Sequence, residues 1–454
     1  MAVKGKKKSQ VTDILESSVK PLLELKFDTP LFAVVAHPSK PQIALGLANG
    51  YIFMIEYDVV KLALHSHEIS EENKNKTKKE QVKKVWAVET LRKDDEFDYA
   101  KTGLRVLWRT KRHKGSVRSI CFNAEGSEIY SVGSDTTIKK ADSITGKVIK
   151  KNTIGDGCAP TKMIKSETHP FLMLGDESGD VRVIDSQSLE VKLVVESAHE
   201  DAVNDIVPMK HKSVYQFVTV GSTTLSVIDA RKEKPKMTSE NQEDEMLSCC
   251  YVNPENGETL VCGMGEGIVT MWKQKKNDFT DQISRVKVNK EESIDCVIST
   301  LNEDDCIWCG CSNGDVFKVD VKKGKLVESR VHSFSDEVGF LDLDYEYRLI
   351  SGGMDKLKLW AEDVSDDEED DDNDEEEDFS DSSDDDKEID GQDDGEEEFQ
   401  GFSDAEKESE PMDKSVGESV EEEPERKVKK PKLTTKQVRN LQKHEHGIRK
   451  FDDL

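Results

Sequence analysis

The stretch that decides the fold is Leu172-Met-Leu-Gly175-Asp-Glu-Ser-Gly179-Asp-Val-Arg-Val-Ile-Asp185. Two short runs rich in apolar residues flank a turn that contains glycine. This pattern is typical of two antiparallel strands joined by a hairpin. We expect glycine in the turn because a tight hairpin needs a residue that tolerates positive φ.

The same hairpin recurs along the chain, and each copy carries a glycine at the equivalent position. These recurring glycines are Gly46, Gly133, Gly175, Gly221, Gly263, Gly310 and Gly353. Successive glycines after the second lie 42–47 residues apart, which is the length of a four-stranded propeller blade. The turns resemble the WD-repeat pattern. The sequence therefore predicts an all-β fold, a seven-bladed WD40-type β-propeller over residues 22–360.

The first interval, 87 residues, is one period too long. We interpret residues 59–103 as a charged surface insertion that delays the outer strand of the first blade to Leu104–Thr110, with a helical patch at Val82, Val85 and Trp86. An eighth blade is the alternative, but the insertion has no glycine hairpin. Leu22–Phe27 is predicted to close the ring as the outer strand of the last blade, whose third strand ends at Trp360. The alternative is a free N-terminal strand.

The chain ends behave differently from the propeller. Of its 454 residues, 94 are acidic and 65 are Lys or Arg, and residues 1–21 form a basic extension. Residues 361–425 hold 35 acidic and 3 basic residues, and residues 426–454 hold 10 basic and 3 acidic ones. Because only 17 of the last 94 residues are hydrophobic, a disordered tail is predicted. Without a long apolar run or a secretory signal, we expect a soluble intracellular protein with reduced cysteines and no membrane contact.

Both tail segments carry candidate modification or targeting residues. The basic run that starts at Arg426 is typical of a nuclear or nucleolar import signal; its candidate lysines are Lys427, Lys429, Lys430 and Lys432. Serines followed three residues later by a carboxylate fit an acidophilic kinase; they are Ser365, Ser382, Ser383 and Ser403. The acidic segment either holds basic proteins or only keeps the chain soluble. A short helix is predicted after Thr434.

A cationic run between the first two blades is the candidate contact for RNA phosphates or an acidic partner. It extends over Trp108–Arg118, and its candidate residues are Lys111, Arg112, Lys114 and Arg118. The alternative is a solvated loop between blades in which His113 supports the hairpin.

No motif in the chain points to catalysis. There is no nucleophile elbow, no metalloprotease helix motif and no phosphate-binding loop motif. Gly263–Gly267 occupies a hairpin turn, and Cys306, Cys309 and Cys311 are interpreted as buried apolar residues, with zinc binding as the alternative. The sequence therefore predicts a protein that is not an enzyme and that has no cofactor, metal or small-molecule substrate.

The whole chain resembles the nucleolar WD-repeat proteins related to WD repeat protein fifty-five, in particular the fungal Jip-type members. The resemblance rests on the degenerate repeats, the run Thr110-Lys-Arg-His-Lys-Gly-Ser116, the acidic serine-rich segment and the basic end His446–Leu454. It implies a non-enzymatic scaffold in ribosomal RNA processing and large-subunit assembly that binds preribosomal proteins. Two alternatives stay open: a cullin-type ligase receptor, for which Ile228-Asp-Ala-Arg231 lacks the expected tryptophan, and a histone-binding factor.

Overall fold

The structure is a computed structural model that describes residues 15–16, 19–74, 84–91, 96–155 and 157–361. The predicted N-terminal extension falls mostly outside these residues. Of the predicted disordered tail only Ala361 is described; its lysines and serines and the short helix after Thr434 lie outside the described residues. Contacts divide the chain into residues 1–371 and 372–454, and the second unit is not described further.

Seven antiparallel sheets of four strands each follow one another along the described chain, which confirms the predicted propeller. The strands of blades 1–4, from the inner strand outward, are Leu31–Ala36, Gln42–Leu47, Tyr51–Tyr57 and Leu104–Lys111; Val117–Phe122, Glu128–Gly133, Thr137–Asp142 and Val148–Thr153; Pro160–Lys165, Phe171–Asp176, Val181–Asp185 and Val191–Val195; Asp205–Pro208, Gln216–Val220, Leu225–Asp229 and Met237–Thr238. Those of blades 5–7 are Met246–Tyr251, Leu260–Met264, Ile268–Trp272 and Ser284–Lys287; Ile294–Ser299, Cys306–Cys311, Asp315–Asp320 and Lys325–Val331; Phe340–Leu343, Leu349–Gly352, Lys356–Trp360 and Pro21–Lys26.

The N-terminal strand closes the ring. Pro21–Lys26 pairs antiparallel with Lys356–Trp360, and Leu25 lies opposite Leu357, so the predicted closure is confirmed. Blades 6 and 7 each gain one short parallel strand at the outer edge. Leu15–Glu16 lies beside Lys325–Val331, and Trp86–Ala87 lies beside Pro21–Lys26. These additions cover outer edges that would otherwise expose backbone hydrogen-bonding groups.

The hydrophobic core is divided into seven clusters, and each lies between two neighbouring blades. The cluster between blades 7 and 1 contains Leu23, Leu25, Leu45 and Leu357, all with at most 1% of their surface exposed. Alternation along each strand gives every sheet two apolar faces, one for each neighbour. Burial of apolar surface at seven equivalent interfaces is the main force that holds the ring together.

The described parts of the inserted segment contain regular elements. Helix Val59–Asn73 begins at Asp58, whose carboxylate accepts a hydrogen bond from the Lys61 N–H at 3.1 Å, a typical N-cap. Its Leu62 is buried in the cluster between blades 7 and 1. A 3₁₀ turn, Val88–Thr90, and a helix, Glu96–Thr102, follow before the outer strand of blade 1 begins at Leu104. A third short helix, Gln274–Asn277, lies in blade 5.

The predicted helical patch at residues 82–86 is wrong for the two positions that the structure describes. Val85 lies outside any helix and Trp86 belongs to the short added strand, while Val82 is outside the described residues. The helix forms instead where Asp58 provides a cap and Leu62 faces the core.

The recurring glycines serve a purpose that differs from the predicted one. Positive φ occurs four residues later, at Gly50, Gly179, Gly267 and Gly314, and not at the recurring glycine itself. A Cβ atom on Gly46 would lie 2.6 Å from Val117 of the next blade, and one on Gly310 would lie 2.5 Å from Val338. At Gly46, Gly175, Gly263 and Gly310 the next blade fills the space that a side chain would need, whereas Gly133, Gly221 and Gly353 face the connection that precedes their own blade.

Candidate interaction surfaces

One face of the ring is built from the turns between second and third strands together with the connections between blades; we call it the loop face. The two kinds of segment are joined by a repeated backbone hydrogen bond. His113 donates its N–H to the Gly50 carbonyl at 3.1 Å, and His199 does the same to Gly179 at 3.2 Å. Asn289 and Ser333 repeat the contact with Gly267 and Gly314. The loops of this face are thereby fixed to the turns beneath them.

A histidine network supports the loop face in blade 2. Burial lowers the pKa of His113 to about 4, so the ring is neutral near pH 7. Its Nδ1 donates to the Asp135 carboxylate at 2.9 Å, and its Nε2 accepts from the Ser131 hydroxyl at 2.9 Å. Asp135 also accepts the Lys114 N–H at 2.9 Å. Burial alone would raise the pKa of Asp135, but these hydrogen bonds lower it overall.

Blades 4 and 7 contain comparable networks. His199 contacts the hydroxyls of Thr224 at 2.7 Å and Thr219 at 2.8 Å. In blade 7, the Ser351 hydroxyl lies 2.8 Å from His332 Nδ1 and accepts the Trp360 indole N–H at 2.9 Å. The three histidines precede their blade's recurring glycine by 20, 22 and 21 residues, a spacing from which the third could have been found.

The structure corrects one member of the predicted cationic run. Arg112 has only 3% of its surface exposed, its Nη2 donates to the Gly146 carbonyl at 3.0 Å, and its guanidinium lies 5.4 Å from the centre of the Trp108 ring. Burial lowers its pKa to about 10. Arg112 therefore supports the junction between blades 1 and 2 and cannot offer its charge to a phosphate at the surface.

The other three members of the run are exposed, but they do not form one patch with a shared role. Lys111 lies at the end of the outer strand of blade 1, and Lys114 is in the connection to blade 2. Arg118 lies on the inner strand of blade 2, where its guanidinium is 3.9 Å from the Glu177 carboxylate. Lys111 and Lys114 are thus the two predicted contacts that remain on the loop side of this junction.

The loop face is acidic from blade 3 to blade 6, a region that we call the acidic arc. Its exposed carboxylates are Glu177, Glu196, Glu200, Glu243, Glu245, Glu266 and Glu291. Burial raises the pKa of Asp295, and the charges of Glu292 and Glu245 raise it further. The pKa of Glu337 is raised by burial and by the charges of Asp295 and Asp336. Accumulated negative charge of this kind attracts basic partners and speeds their association.

The inner strands of all seven blades line a central channel with a volume of about 620 Å³. Lys162 forms an ion pair with Asp205 at 2.9 Å, and Asp205 raises the pKa of Lys162, so the amine stays protonated. Asp342 accepts the Ala36 N–H at 2.7 Å, and burial raises its pKa to about 6. A protonated lysine held by a carboxylate stabilises the channel wall and is a poor nucleophile.

The cysteines of blade 6 are buried and unpaired thiols. Burial raises the pKa of Cys306 to about 11, and that of Cys309 and Cys311 well above the usual value, so they do not form thiolates near pH 7. Within the described residues, no group of three or more metal-ligating side chains is gathered. No helix of the described chain combines the length and apolarity that crossing a bilayer requires.

Comparisons with known proteins give a consistent set of relatives. No family model matches the chain. The WD repeat-containing protein JIP5 of Kluyveromyces lactis is 39% identical in an alignment that covers 99% of this chain and 99% of its own. The protein of the same name from Saccharomyces cerevisiae is 43% identical over 80% of this chain and 81% of its own. The one from Candida glabrata is 46% identical over 78% of this chain and 73% of its own.

Proposed function

This chain belongs to the yeast family of WD repeat-containing proteins named JIP5, and we propose that it is a non-enzymatic nucleolar scaffold in ribosome biogenesis. In this role it binds preribosomal proteins during ribosomal RNA processing and assembly of the large subunit. The observation that carries the proposal is the acidic arc on a rigid ring. Seven apolar interfaces and the backbone bonds of the loop face hold the backbone that carries these carboxylates in place.

Preribosomal proteins fit this surface because proteins that neutralise RNA phosphates are rich in Lys and Arg. Exposed carboxylates such as Glu200 and Glu243 would meet those cations in the rim of an interface, where they favour the correct partner and faster binding more than they add affinity. Direct RNA contact through Lys111 and Lys114 belongs to the same proposal. The lysine run that follows Arg426 would bring the protein into the nucleus and nucleolus.

One observation bears on the alternative role as a cullin-type ligase receptor. Arg231 is held by Asp229, with Nη2 at 2.7 Å from the carboxylate, and its guanidinium lies 4.4 Å from the Tyr215 ring centre. Its side chain remains 57% exposed. The position therefore presents an arginine to solvent, although Ile228 stands where that docking motif has tryptophan. The histone-binding alternative would use the acidic segment of residues 361–425.

Affinity purification of the tagged full chain from yeast cells distinguishes the three roles, with mass spectrometry of the bound proteins as the readout. We expect large-subunit precursor proteins to be enriched, and we expect this enrichment to be unchanged in Arg231→Ala. Enrichment of a cullin and its adaptor that is lost in Arg231→Ala would replace the proposal with the ligase role. Enrichment of core histones without ribosomal precursors would replace it with the chromatin role.

A further inference from the structure

A groove lies between blades 6 and 7 on the outside of the ring, with a volume of about 1130 Å³. Helix Val59–Asn73 forms one wall, the outer strand of blade 6 forms the other, and the last strands of blade 7 form the floor. This groove is separate from both the acidic arc and the central channel.

The groove is strongly cationic. Its lining contains six Lys or Arg side chains and one carboxylate, that of Glu24; the cations are Lys20, Lys74, Lys84, Arg330, Lys356 and Lys358. Lys20 and Lys84 are exposed and Lys356 is half-buried. Lys74 forms an ion pair with Glu71, and Arg330 and Lys358 are buried in the floor, where Glu328 holds Arg330. Cations that share one concave, partly desolvated surface attract a polyanion more strongly than scattered surface lysines do.

Aromatic side chains accompany these cations. Lys84 Nζ lies 4.1 Å from the Trp86 ring centre, and the Arg330 guanidinium lies 5.5 Å from that of Trp360. Phe334, at the end of the groove, has 94% of its surface exposed. Phe334 therefore offers an apolar ring to whatever occupies the groove.

The chain itself supplies a polyanion at this point. The N–H of Ala361 donates to the Lys20 carbonyl at 3.4 Å, so the chain leaves the ring beside a residue that lines the groove. Residues 362–371 follow directly, and eight of these ten residues are Asp or Glu. Ten residues span up to about 33 Å when extended, which is long enough to follow the groove. Val364 and Ser365 are the two residues that are not acidic.

We propose that residues 362–371 dock in this groove, where they act as an intramolecular competitor of acidic ligands. Lys20, Lys84 and Lys356 neutralise the carboxylates, while Trp86 and Phe334 give the peptide a contact surface. The charge complementarity and the exit point of the chain select this segment over a partner from another molecule, because a tethered segment is present at high effective concentration. The inference is independent of the nucleolar role.

Zero-length cross-linking of the full chain with a carbodiimide tests the proposal, because the reagent joins lysine amines to carboxylates that are in contact. An equal mixture of unlabelled and isotope-labelled chain identifies cross-links within one molecule. We expect Lys20, Lys84 and Lys356 to cross-link to residues 362–371 of the same molecule several-fold more often than the exposed Lys150 and Lys151 of blade 2 do.

The variant Lys20→Glu/Lys84→Glu should lose most cross-links between Lys356 and residues 362–371, whereas Lys150→Glu/Lys151→Glu should retain them. Circular dichroism verifies that both variants stay folded, and high salt should reduce the groove cross-links because it screens exposed charges. Absent cross-links, an even spread over all exposed lysines, cross-links mainly between molecules, or unchanged Lys356 cross-links in Lys20→Glu/Lys84→Glu would each overturn the proposal.

Discussion

Replacement of Leu25 by alanine tests whether the N-terminal strand is an integral part of the ring. Leu25 has none of its surface exposed, pairs with Leu357 and packs in the cluster between blades 7 and 1. The lost methyl and methylene groups account for about 2–3 kcal/mol of transfer free energy. The cavity between two rigid sheets adds about 1–2 kcal/mol, so we expect a total loss of about 3–5 kcal/mol in the free energy of unfolding.

The matched control is Leu64→Ala on helix Val59–Asn73, because Leu64 is 62% exposed. That change should alter the free energy of unfolding by at most about 0.5 kcal/mol. Urea unfolding of the full chain, followed by tryptophan fluorescence, gives both values. Equal unfolding midpoints for the two variants would mean that Leu25 contributes nothing to the ring, and the closure argument would be refuted.

Three further predictions concern pH, localisation and domain limits. Burial lowers the pKa of His113 and His199 to about 4, below the unfolded value of about 6.5. Protonation therefore favours the unfolded chain, and the melting temperature should fall as pH drops from about 6.5 to 4; a smaller fall in His113→Gln supports the assignment, and an unchanged one contradicts it. Deletion of residues 426–432 should move a fluorescent fusion to the cytoplasm. Unchanged nucleolar fluorescence would show that these residues are not the import signal. Limited proteolysis should leave a resistant core ending near Trp360, whereas early cleavage throughout residues 110–355 would disagree with a single ring.

The regular part of the fold could be predicted from the sequence because each blade repeats one local pattern. The hairpins around the recurring glycines and the unassigned strand Leu22–Phe27 are enough to specify seven blades and their closure. The reason for the glycines could not be predicted, because the contact between Gly46 and Val117 joins segments 71 residues apart in the chain. Helix Val59–Asn73 was missed since its charged sequence hides the single buried position, Leu62.

The surfaces were harder to predict than the fold. A cationic run shows which residues carry charge, but not that Arg112 turns inward toward Gly146 while Lys111 stays exposed. The acidic arc combines carboxylates from separate blades, such as Glu177 and Glu291. They share one face only after the ring has closed, so no sequence window contains them together.

Charge reversal on the acidic arc is the most direct test of the central claim, that this face of the ring holds basic preribosomal proteins. Glu200→Lys/Glu243→Lys should remove most large-subunit precursor proteins from the affinity-purified full chain. The control Glu190→Lys/Glu255→Lys reverses two exposed carboxylates outside the loop face and should retain those proteins. Recovery of the same precursors with Glu200→Lys/Glu243→Lys as with the control would contradict the claim.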